Sequence, residues 1–209
     1  MNTRFTEDDF GVTHLAALFH QDWRAEGTDW GLVESYIGEM PIPYVRALAE
    51  DALLLTDRGT PDVVATLWES ATGSNHRLDR DAVAAWFGRI ASVSESRLMG
   101  SDQSEMRSSS EYMYGELRDK VVLEIARIGR RLDDAVEKNS WAKISGVAAS
   151  LKSCAADISP ELAIRFLLRA LMEYSCNIRT AEYAMLVDFG RDFSYGEFVV
   201  SRVKYLVSE

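Results

Sequence analysis

The sequence predicts an all-α protein, a multi-helix bundle of about eight to ten helices with no significant sheet. Three observations carry that expectation. Apolar residues recur at i, i+3 and i+4 through most of the 209 residues, the spacing of a helix that buries one face. Twice a hydroxyl residue is followed by proline and an acid, at Thr60-Pro61-Asp62 and Ser159-Pro160-Glu161, the pattern of an N-cap with proline in the first turn. No stretch alternates apolar and polar residues with the period of a strand.

The chain opens on His14-Leu15-Ala16-Ala17-Leu18-Phe19-His20-Gln21-Asp22-Trp23. At 100° per residue, Leu15, Phe19 and Trp23 share one helical face, with Leu18 on its flank. Asp22 falls inside that face, so a structural role is expected for it, accepting hydrogen bonds from the free N–H groups of the next helix. A His20/Asp22 dyad is not expected, because residues two apart on a helix point away from each other. His14 and His20, six apart, do not share a face for metal ligation.

Gly27 ends this element, and Asp29 is expected to cap a short helix through Trp30, Val33 and Ile37. The Pro41-Ile42-Pro43 pair breaks the chain before a stripe of Tyr44, Leu48, Ala52 and Leu55. Thr60-Pro61 starts a helix burying Val64, Leu67 and Trp68. After a turn, Asp79 or Asp81 opens one carrying Val83, Trp86, Phe87 and Ile90. Residues 92–110 are rich in serine and have no period, and they read as a linker or loop, with 96–109 expected to be its most mobile part. Leu117, Val121, Ile125, Ile128, Leu132 and Val136 then line one long helix, and Ser140 is expected to cap another through Cys154. The helix after Ser159 is apolar nearly all round, so residues 160–177 are expected to be the most buried. Its charged strip of Arg165, Arg169 and Glu173 reads as a self-paired edge or an anion grip. The domains expected are therefore 1–91, 111–209, and the segment 92–110 between them.

Charge divides the same way. Residues 1–95 hold 16 Asp/Glu against 7 Arg, while 96–209 hold 17 against 16 Lys/Arg, so nearly all of the net −10 lies in the first half. Such a surface repels nucleic acid and membrane headgroups and suits a basic protein. The opening nine residues lack the apolar core of a signal peptide, and no apolar run is long enough to span a bilayer. Cys154 and Cys176 offer no metal or redox spacing and read as buried thiols of a cytoplasmic protein. No phosphate loop, dinucleotide fingerprint, zinc-protease or nucleophile-elbow motif is present. The expectation is no enzyme, no cofactor, no metal and no catalytic residue.

The Leu-Phe-His-Gln-Asp-Trp cluster ending at Trp23, the following Gly27 with its acid-rich segment, the helix from Val45 to Leu55 and Trp86 resemble the immunity proteins of bacterial contact-dependent growth inhibition systems. The resemblance covers residues 10–91. It implies a cytoplasmic α-helical protein that binds a cognate toxin domain and occludes its active site; the acidic first half suits a basic toxin, of which a nuclease is one kind. The alternative is a helical adaptor unrelated to toxins. For either, the acids placed by periodicity on exposed faces or helix starts are the candidate partner-binding residues: Asp29, Glu34, Glu39, Glu50, Asp51 and Asp62. Leu15, Phe19, Asp22 and Trp23 are expected to be structural.

Overall fold

The computed structural model describes residues 8–99 and 115–208. Among these residues ten α-helices follow one another: α1 Gly11–Ala17, α2 Asp29–Glu39, α3 Ile42–Arg58, α4 Pro61–Ala71, α5 Val83–Leu98, α6 Gly115–Asn139, α7 Val147–Ser153, α8 Pro160–Glu173, α9 Thr180–Asp192 and α10 Glu197–Ser201. The only strands among the described residues are two of two residues each, β1 Ile178–Arg179 and β2 Val207–Ser208, paired in parallel. The protein is all-α, as its periodicity predicts.

Helix starts follow their chemistry, with shifts. The Ser159 side chain accepts from Leu162 N at 3.2 Å, and Pro160 occupies the first turn. Thr28 caps α2 in place of Asp29, its hydroxyl accepting from Gly31 N at 3.0 Å. Ser140 caps nothing helical. Residues 140–146 form a loop, and α7 begins only after Gly146, whose positive φ turns the chain. The donor at its start goes to Asp133 of α6, from Ala148 N at 3.0 Å.

α8 is the axis of the molecule. Eleven of its 14 residues are buried, Leu167 and Leu171 completely. Packed around it, side chains from both halves join one apolar cluster, from Phe10 to Leu206. The expected domains 1–91 and 111–209 do not have separate cores. A helix apolar on nearly every side needs cover all round, and α4 and α1 of the first half supply part of it.

The expected linker is also shorter than its serines suggest. α5 runs on to Leu98, with Ser94 buried and the Ser96 hydroxyl donating to Ser92 O at 2.8 Å, a bond that serine makes within a helix. The mobility expected for 96–109 falls, beyond Met99, outside the described residues.

The opening motif departs most. α1 stops at Ala17, and its last turn tightens, with Leu18 N and Phe19 N bonding three residues back. A separate short turn, Trp23–Ala25, follows. Leu15, Phe19 and Trp23 are buried as expected, but the helical angle that placed Asp22 among them no longer applies. Asp22 is exposed, with no cap bond, and its neighbours are Gln21 Nε2 at 3.4 Å and the His20 ring.

Candidate protein-binding surface

Catalysis would draw on buried titratable groups, and two polar centres of that kind lie among the described residues. Arg165 on α8, fully buried, uses all five of its N–H donors. Nε donates to Glu161 Oε1 at 2.8 Å, Nη2 to Glu161 Oε2 at 3.0 Å and Asp51 Oδ1 at 2.6 Å, and Nη1 to Asp51 Oδ2 at 2.7 Å and Phe10 O at 2.9 Å. Asp51 on α3 also accepts from Val12 N at 2.9 Å, which locks the entry of α1 against it. Gly11 makes that approach possible: with φ at +62°, a Cβ there would lie 1.9 Å from Asp51 Oδ2. Burial works against the charge on Arg165, but Asp51 and Glu161 outweigh it and hold its pKa well above the ordinary value. Asp51, expected on an exposed face, is thus a core residue. The Arg165 end of the expected charged strip is core as well, while Arg169 pairs with Glu173 and donates to Ala71 O at 2.9 Å.

The second buried polar group is His76, expected to lie in a polar turn. It sits among Phe19, Trp23, Trp68 and Trp86, with ring centroids 4.4 to 5.8 Å away. Trp68 Nε1 donates to its Nδ1 at 2.9 Å, so the proton of the neutral ring is on Nε2, which faces Asp29 Oδ2 at 3.4 Å. Burial lowers its pKa, with Asp29 acting in the opposite direction. His14 is lowered for the same reason and meets Tyr36 Oη at 3.1 Å. Among the described residues no cluster of three His, Cys, Asp or Glu is placed to hold a metal, and no helix is long and apolar enough to cross a membrane.

The remaining candidate acids lie on α2, α3 and α4. Asp29, half-buried at the start of α2, holds Trp30 N and His76. Glu34 accepts from Trp30 Nε1 at 2.7 Å and Glu39 from Ser35 Oγ at 2.6 Å, both on the wet face of α2. Glu50 is half-buried on α3, and Asp62 pairs with Arg80 at 2.7 Å. Residues 20–40 stand out: Asp22, Glu26, Glu34 and Glu39 are exposed, Asp29 is half-exposed, and Arg24 is the single cation of the segment. Arg24 lies with its guanidinium 4.6 Å over the Trp23 ring. Sequence reasoning missed Asp22 and Glu26 as surface acids because it placed Asp22 in the core. No known family, curated protein or solved structure matches the chain.

Proposed function

We propose that this chain is a protein-binding module rather than an enzyme, and that its partner is a basic protein. Within that class we propose an immunity protein that acts in the cytoplasm, holding a cognate toxin domain and occluding its active site. The observation that carries the reading is the exposed acidic run of residues 20–40, on a molecule whose buried Arg165, Asp51 and Glu161 are spent on one another. A toxin that cleaves nucleic acid carries Lys and Arg where its substrate binds, and acidic side chains complement them. An interface of standard size, roughly 1,600 Å² in total, is large enough to take in several of these acids. Nucleic acid and membrane are disfavoured as partners by the same charge.

The test is a pull-down with the product of the adjacent gene, followed by survival of cells that express that product. Binding and protection are the expected result, and association should slow as salt screens the surface. Charge reversal at Glu34 and Glu39 should slow association at low salt and leave the melting temperature unchanged. Failure of the wild-type chain both to bind and to protect would reject the immunity reading.

A further inference from the structure

The loop 20–28 carries Asp22 and Glu26 on the surface and has a narrow hold on the interior. Within it only Trp23 is buried. Buried Phe19 precedes the loop, and Asp29, at the start of α2, follows it. All three reach one side chain, the His76 ring. Phe19 and Trp23 lie with centroids 4.4 and 5.5 Å away, and Asp29 Oδ2 is 3.4 Å from Nε2. Trp23 Nε1 adds a bond at 3.0 Å to the carbonyl of Asn75, the residue before His76.

The other side of the ring is fixed. The Thr72 hydroxyl donates to His76 O at 3.0 Å, which holds the turn to the end of α4. Trp68 on α4, fully buried, donates from Nε1 to His76 Nδ1 at 2.9 Å. This packing therefore exists only while Nδ1 is unprotonated. A proton there sets two N–H donors face to face at 2.9 Å, with neither the indole nor the turn free to retreat. Nε2 keeps its approach to Asp29, whose side chain is 45% exposed and attracts the charged ring. Pushed from Trp68 and drawn to Asp29, the ring leaves its close contacts with Phe19 and Trp23.

The groups around the ring set the sign of the effect. Burial opposes the charge most, Asp29 on α2 favours it, and Arg24, 4.6 Å over the Trp23 ring, opposes it. From α4 and α5 the ring meets the indoles of Trp68 and Trp86, and Arg77, next in the chain, is paired with Glu69 of α4. His20, in the loop itself, is exposed and pairs with Glu26 at 3.3 Å, so a proton on it tightens the loop. His14 meets Tyr36 further along α2.

We propose that His76 is a pH-operated latch: neutral, it holds the loop 20–28 to the core, and protonated, it lets that loop go while the helices stay folded. Histidine is the side chain whose charge changes nearest neutrality, and here the change falls on a bond that only the neutral ring can accept. The latch acts whether or not the partner is a basic protein, and so goes beyond the binding reading above.

The test follows the indole N–H resonances of the full chain by NMR from pH 8 to pH 5, beside its far-ultraviolet circular dichroism. The signals of Trp68 and Trp23 should move together with a midpoint below 6.5, and the helical signal should stay constant. His76→Phe should remove the movement. Asp29→Asn should carry it to lower pH, since the carboxylate favours the charged ring. That half-exposed position keeps the test open should His76→Phe fail to fold. His14→Gln and His20→Gln should leave the midpoint in place. Indole signals that stay still, a movement that survives in folded His76→Phe, or a midpoint unchanged in Asp29→Asn overturns the latch. So does a transition that His14→Gln or His20→Gln abolishes. Loss of helical signal at the same midpoint overturns it too, because acid then opens the whole fold.

Discussion

Arg165 and His76 occupy two polar centres of the same apolar interior, and each is satisfied by opposite means. Arg165 keeps its charge and is met by two carboxylates, a carbonyl and the edge of a helix start. His76 gives up its charge and is met by indoles, one N–H donor and one half-exposed carboxylate. The first solution joins distant parts of the chain: residues 10–13, α3 and α8. The second joins near ones, the turn after α4 to the ring stack beside it and to α2. A fully paired charge fixes a unique register but leaves large penalties if any member is lost. A neutral ring in an aromatic box loses less and responds to pH.

The largest effect expected is at the ionic centre. Arg165→Met removes the cation and leaves Asp51 and Glu161 buried without compensation, a loss of about 3–5 kcal/mol. Chemical denaturation of the variant should show it, or the chain should fail to fold. The sharper version adds Asp51→Leu and Glu161→Met. With the opposing charges gone, stability should return to within about 1–2 kcal/mol of the wild type. If Arg165→Met alone is as stable as the wild type, the network does not carry the role its five bonds imply.

His76 should give the intermediate effect, and the sign of its pH response follows from its lowered pKa. Above the ordinary value of 6.5, folded and unfolded chains both hold neutral histidine, and the stabilisation is complete. As pH falls through 6.5 the unfolded chain takes up protons first, so stability drops, by at most about 1.4 kcal/mol per pH unit for each such histidine. His14 contributes in the same direction. His76→Phe keeps the ring stack but leaves Trp68 Nε1 without an acceptor, at a cost of about 1–3 kcal/mol at pH 7.5. It should also make the loss between pH 7 and pH 5 shallower. Denaturation midpoints at the two pH values, compared for the two chains, test both statements. An unchanged slope would place the titrating group elsewhere.

Much of this was legible in the sequence, and the exceptions share a cause. The helix over 160–173 is apolar on nearly every side because it is central, and its cap-then-proline start made it plain. The stripe Tyr44, Leu48, Ala52, Leu55 was legible too, yet Asp51 lies 60° from Leu48 and 40° from Leu55 at 100° per residue. The same arithmetic that exposed the stripe put Asp51 at its edge, beside Tyr44, and the presumption that acids are wet overrode it. Arg165 is the counterpart, a cation buried on the central helix with Glu161 one turn before it. A buried charge becomes visible only when both members are considered together, and these two are separated by 114 residues. His76 was obscure for a different reason. Turns carry no periodicity, so nothing local shows that Phe19, Trp23, Trp68 and Trp86 close around it.

Asp22 is where the smallest effect is expected, and it separates local pattern from true structure. Taken as a helical residue, it would be half-buried, and losing it would leave backbone donors unpaired. In the fold it is exposed at the head of a short turn, with no cap bond and only a 3.4 Å approach from Gln21 Nε2. Asp22→Ala should therefore change stability by no more than about 0.5 kcal/mol, as is usual for surface positions. Its neighbours give the contrast: Trp23→Ala removes an indole packed on Phe19 and His76 and bonded to Asn75 O, and should cost about 3–5 kcal/mol. Thermal denaturation of the two single variants measures the difference. A drop of several degrees for Asp22→Ala would mean that its carboxylate caps Trp23–Ala25 in solution. No drop, with slower association with a basic partner, would put its charge to use at the surface instead.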